Sequence, residues 1–255
     1  TPERKDMMEV GLYDVLGPMT GHGIAPQLPV TAYMIATGCE RGSPRIVAKN
    51  EWSKILNWCC AQDERNDLIC EWLKEDVAAG RKILVLGERR NWCLDMAERM
   101  CKEYGVRAAA SLGGLKSKRE KKAAEQVITD MNEGRVDIIF ATSVFKEGVD
   151  VPVLDTLYYA TPGNNEHQLK QALGRIRRPY EGKMSPLFRY FVDSGGRLSG
   201  CAKGTQRALR AWGMQIVMVP EGRKPANVMK PGAFGNDDTG APKKTGLRAA
   251  AGKQS

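Results

Sequence analysis

Four short stretches of this chain are apolar almost without interruption: "KILVLG" (82–87), "VDIIFAT" (136–142), "LDTLYYA" (154–160) and "PLFRYFVD" (186–193). Runs this short and this continuous belong to strands covered on both faces, as in a parallel sheet, because a half-exposed strand alternates apolar with polar. Segments with helical spacing lie between and before them. Trp52, Ile55, Leu56 and Cys59 make one stripe, and Leu68, Ile69, Trp72 and Leu73 make a second that Gly80 closes. Cys93, Ala97, Met100, Cys101 and Tyr104 make a third, ended by Gly105, and Ala123, Ala124, Val127, Ile128 and Met131 a fourth. "LPVTAYMIA" (28–36) and "VRAAA" (106–110) add two further strands. Strands alternating with helices predict an α/β fold, a parallel sheet with right-handed crossovers and helices on its faces.

The chain reads as three parts: residues 1–27 as a linker region, 28–219 as one folded domain, and 220–255 as a flexible basic tail. In the last part, 6 Gly and 4 Pro interrupt regular structure and seven Lys or Arg face three Asp or Glu. That composition predicts disorder. The net charge of +9 favours an anionic partner, nucleic acid or an acidic surface. No apolar run has the length of a membrane span, so no membrane partner is expected. Seven cysteines without a CxxC pair read as reduced, mostly buried thiols of a cytoplasmic protein. No metal site is expected; His22 and His167 stand alone. The chain opens at Thr1 and reads as a piece of a longer protein.

Chemistry is expected beyond the carboxyl ends of the strands, where open parallel sheets collect ligands. Two stretches are expected to lie there. In "ATSVFKEGVDVP" (141–152), Thr142 and Ser143 offer groups that suit a phosphate, Gly148 permits close approach, and Asp150 suits a sugar hydroxyl. The same residues also suit a plain strand–loop–strand connection. In "QALGRIRRP" (171–179), Arg175 and Arg178 fall on one side at the end of a helix, with Arg177 between them. Their forked, permanently charged guanidinium groups match phosphate oxygens. A helix C-terminus also favours positive charge on its own account.

Together the two stretches resemble motifs V and VI of superfamily two helicases, with 21 positions between Asp150 and Gln171, room for one strand and one helix. "KILVLGERR" resembles motif IV, "SLGG" before "KRE" resembles the family's glycine turn and basic helix start, and "TPERKDM" resembles the segment closing motif III. "LYDVLGP" is similar to the branch with XPB-like and phage helicases. The resemblance covers roughly residues 1–194. It implies the second RecA-like domain of an ATP-driven motor that acts on DNA, with RNA as the alternative, and closes on an N-terminal RecA-like domain of the same protein. It implies that Arg175 and Arg178 reach the ATP γ-phosphate, that Gln171 couples nucleotide state to closure, and that Gly148 and Asp150 lie near the ribose. It also implies nucleic-acid contacts from Thr142 and Arg89. No G-x-x-x-x-G-K-[ST] loop occurs in the sequence, so ATP and Mg2+ are expected to be held mainly by the N-terminal motor domain. This chain alone is expected to be inactive. The competing class is a non-catalytic nucleic-acid-binding module with the same fold.

Overall fold

A computed structural model describes residues 27–40, 51–113, 117–142, 151–163 and 165–225. Seven strands form one sheet: β1 (Thr31–Glu40), β2 (Ile83–Leu86), β3 (Ala108–Ser111), β4 (Ile138–Ala141), β5 (Thr156–Tyr159), β6 (Leu187–Ser194) and β7 (Gln215–Val219). Their order is β3-β4-β2-β5-β6-β1-β7, and every neighbouring pair is parallel. Six helices are described: α1 (Glu51–Cys60), α2 (Asp63–Ala78), α3 (Arg90–Tyr104), α4 (Lys118–Asn132), α5 (Glu166–Ile176) and α6 (Arg197–Ala211). The expected α/β sheet flanked by helices is the fold observed.

Side chains alternate along each strand, so the strands of the sheet interior feed two cores. Leu84, Leu86, Ile139, Leu157 and Tyr190 point to the face covered by α4, α5 and α6. Ile83, Val85, Ile138, Phe140 and Phe191 point to the face covered by α2 and α3. This two-sided demand explains why the strands read as unbroken apolar runs. The glycines that end α2 and α3 sit where the chain turns left-handed: Gly80 has φ 84° and Gly105 φ 66°.

Two buried ion pairs fasten α2 to the sheet. Near its start, Arg65 donates through Nε to Asp193 at the end of β6 (2.8 Å) and through Nη2 to the carbonyl of Ala160 after β5 (2.6 Å). Near its end, Asp76 accepts from Arg189 in mid-β6 (3.1 and 2.8 Å) and from the Tyr158 hydroxyl of β5 (2.5 Å). Both pairs are fully buried. Arg189 is further enclosed by the rings of Tyr33 (4.2 Å) and Trp72 (4.7 Å).

A third charged cluster lies where β2, β3 and β4 begin. Burial alone raises the Asp137 carboxyl, but hydrogen bonds from Arg107 and Lys82 outweigh it and hold the group below the usual carboxylate range. A carboxylate favoured in this way stabilises the fold fully above its unfolded value of about 4, and the contribution is lost as pH falls through the lower folded value. Asp137→Asn is expected to flatten the acid limb of a stability–pH curve measured by urea unfolding. An acid limb unchanged by the substitution counts against this origin.

Candidate functional site

α5 is built to start sharply and to bury one face. Asn165 caps it, its side-chain oxygen accepting from the Gln168 N–H (3.2 Å), and Leu169, Ala172, Leu173 and Ile176 face the core. The opposite face carries His167, Gln171 and Arg175 at i, i+4 spacing, and Arg178 follows two residues past the end of the helix. Gln171 is exposed, with its Nε2 3.1 Å from His167 Nε2; Arg175 is half-buried and Arg178 exposed.

The helix leaves the carboxyl end of β5 and runs back against the strand direction for 11 residues, about 16 Å. Its arginines therefore arrive at the amino edge of the sheet, not beyond the carboxyl ends as the sequence reading had them. The hydrogen bonds fix this. The backbone N–H of Leu28, just ahead of β1, donates to the Arg177 carbonyl (2.9 Å), and Arg177 Nε donates to the Leu28 carbonyl (3.1 Å). Lys183 Nζ joins the carbonyls of Arg178 (2.9 Å) and Pro152 (3.1 Å), and Pro152 lies on the approach to β5. Arg177 thus clamps the helix end to the chain ahead of β1. Gly148 and Asp150, with Ser143, lie outside the described residues, as do the segment resembling motif III and residues 226–255 of the proposed tail.

The other two predicted residues sit at the carboxyl edge. Thr142 follows β4, and its hydroxyl accepts from the N–H of Gly113, the turn after β3 (2.9 Å). Arg89 follows β2, but its guanidinium is turned inward to α1, donating to Asn57 (2.7 Å) and to the Ser53 carbonyl (2.9 Å). Its neighbour Arg90 donates to the Gly113 carbonyl (2.6 Å) and is exposed. The first turn of α4 adds exposed Lys118, Arg119, Lys121 and Lys122, set by a Ser117–Glu120 capping box. Arg197, exposed at the start of α6, completes a row of cations along this edge. Sequence reasoning missed Arg90 and Arg197; an arginine just past a strand end was the available signal for each.

Among the described residues no group of three or more His, Cys, Asp or Glu is placed to hold a metal ion. The seven cysteines are free, and burial pushes the Cys70 and Cys93 thiols up to about 12 and Cys60 to about 11, so they stay protonated. No described helix is long and apolar enough to cross a membrane.

The all-parallel seven-stranded sheet with helices on both faces is a RecA-like fold. Residues 64–179 match the family described as the helicase conserved C-terminal domain. The probable helicase D10 of Escherichia phage T5 is 25% identical over 242 residues, covering 92% of this chain and 51% of that protein. The chain thus spans about half the length of this curated relative. Among solved structures, S. cerevisiae Dbp5 bound to RNA and ADP BeF3 superposes with a TM-score of 0.54 at 11% identity, over 86% of this chain and 50% of that one. T4 UvsW superposes with a TM-score of 0.54 at 12% identity, over 75% and 41%. Over residues 64–179 the chain is thus similar to the helicase conserved C-terminal domain, carried on a RecA-like fold.

Proposed function

We propose that this domain is the second motor half of an ATP-dependent helicase or translocase, with its two ligands at opposite edges of the sheet. At the amino edge, Arg175 and Arg178 act as arginine fingers toward the γ-phosphate of an ATP bound by an N-terminal RecA-like domain. Gln171, on the same helical stripe, relays nucleotide state. Gly148 and Asp150 flank the ribose; they precede Val151 and Pro152, which lead into β5 at that edge. The guanidinium pair suits phosphate oxygens bidentately, whereas Mg2+ coordination falls to the N-terminal domain. At the carboxyl edge a nucleic-acid strand passes Thr142 and the exposed cations. Arg89 serves that edge as a positioning residue, holding α1 in place.

The observation that carries this reading is the separation itself: the arginine stripe of α5 ends at one edge, while Thr142, Arg90, Lys118, Arg119 and Arg197 lie at the other. Support comes also from the fold neighbour whose solved structure contains RNA and ADP BeF3.

Phosphate contacts release counterions, so affinity for a single strand is expected to fall steeply with salt. Replacing both Lys118 and Arg119 by Ala is expected to weaken binding of every sequence alike and to lower the salt slope by about 1 per lost contact. Both positions are exposed at a helix start, so the fold is retained. Anisotropy titrations across a salt series measure this. A slope that does not change removes α4 from the interface.

A further inference from the structure

The carboxyl edge holds an aromatic ring that the core does not fully cover. Trp52 lies in the first turn of α1, half-buried, with one side packed on the small cluster of Ile55, Cys59 and Leu198. Its surroundings fix it. Arg89 binds the Ser53 carbonyl and Asn57 on the same helix, and Glu88 accepts a hydrogen bond from the Trp52 side chain. Arg197, the first residue of α6, lays its guanidinium over the indole at 5.4 Å. Arg89 leaves β2 and Arg197 follows β6, with only β5 between those strands. Trp52 therefore bridges two strand spacings, about 10 Å of the edge. Beside the ring is a cavity of about 400 Å³ lined by Trp52, Arg197, Gly200 and Cys201. Gly200 leaves that space open; a Cβ there would meet no atom within 4 Å.

We propose that Trp52 and Arg197 form a stacking platform for one unpaired base of a single nucleic-acid strand crossing this edge. The proposal rests on the reading of the carboxyl edge as a nucleic-acid track. A rigid, half-exposed indole gives a flat apolar surface that any base can cover, and stacking of this kind is tolerant of sequence. The guanidinium already over the ring has two uses there: it stacks on a π-face, and it pairs with the phosphate that enters with the base. Charge complementarity selects the occupant, since the neighbouring exposed side chains at this edge include Arg90, Lys118 and Arg119. A motor that must hold a strand without reading its sequence has use for a contact of this type.

The test compares the full 255-residue chain on an oligothymidylate, an oligouridylate and an abasic strand of equal length and charge. The parent is expected to bind both base-bearing strands more tightly than the abasic one. Trp52→Ala is expected to weaken the base-bearing strands roughly five-fold to a hundred-fold and leave the abasic strand unchanged; Trp52→Phe keeps most of the preference. Because Trp52 also touches the α1 cluster, Gly200→Leu is the sharper variant. It improves helix propensity at an exposed position while filling the space beside the indole, so it stays folded and is expected to lose the same preference. If Gly200→Leu and Trp52→Ala both keep the preference for bases while the Lys118 and Arg119 double variant still weakens binding, the platform is wrong and the track stands. If the parent binds none of the strands, both fail.

Discussion

In the full-length protein, Arg175→Ala or Arg178→Ala is expected to lower ATP turnover by roughly a thousand-fold to a hundred-thousand-fold, with folding and most nucleic-acid affinity retained. Charge accumulates on the transferring phosphoryl group, and a guanidinium held at that position stabilises the transition state more than the ground state. The position is held well: α5 is capped by Asn165, and its last turn is tied to Leu28 and, through Lys183, to Pro152. Arg→Lys is not expected to rescue, since an ammonium lacks the fork. Arg177→Ala has a different signature. It removes the side-chain bond to the Leu28 carbonyl, a loss of about 1 kcal/mol in stability, while turnover stays within a few-fold of the parent. Phosphate release beside thermal melting separates the cases. Three substitutions that behave alike, or rate losses that follow melting, would return the cluster to the role of a cationic helix end.

Asp76→Ala is expected to destabilise the domain by about 3–5 kcal/mol. The substitution leaves Arg189 charged with no exposure to water, and it also takes the acceptor from the Tyr158 hydroxyl. Burial lowers the tendency of Arg189 to stay charged, yet the Asp76 carboxylate more than restores it. Removing the partner therefore exposes the full desolvation cost. Such a loss is a large part of the roughly 5–15 kcal/mol that holds a domain together. Replacing both members, Asp76→Leu with Arg189→Met, removes the charge problem and is expected to recover most of the loss or all of it. Urea unfolding of the parent, the single and the double variants measures this. A double variant as weak as the single one would show that the pair is favourable in itself, beyond the penalty of leaving one charge alone.

The sheet was legible because β2, β4, β5 and β6 are buried on both faces, and continuous apolar sequence admits few other readings. α6 and β7 were less so. The buried stripe of Arg197–Ala211 is regular but built largely of small residues, Cys201, Ala202, Thr205 and Ala208, with Gly200 and Gly204 on the outer side, and the edge strand Gln215–Val219 is half-exposed. The two buried arginines differ in how far the sequence shows their burial. Arg65 stands in the polar run "DERN" and reads as surface until Asp193, 128 positions away, is brought against it. Arg189 gave better warning, since a charge in the middle of "PLFRYFVD" requires a buried partner. Arg175 and Arg178 were named as candidates from their motif without the edge they occupy, whereas Thr142 and Arg89 lie at the carboxyl edge, as expected. A loop or helix that follows a strand begins at the carboxyl edge and need not end there, and α5 is long enough to cross the sheet.

α2 grips the sheet at two heights, through Arg65 at the ends of β5 and β6 and through Asp76 in mid-β6, while α5 runs the same course on the other face. Fixed at two points, a rod on a plate can neither slide nor pivot. Packed interiors of this kind are stiff and pass strain on rather than absorb it. On the function proposed above, a tilt imposed by a nucleotide at the arginines is passed to the cationic edge by this stiff interior. On that proposal the domain acts as a rocker, and its stroke is generated at the seam with an N-terminal motor domain.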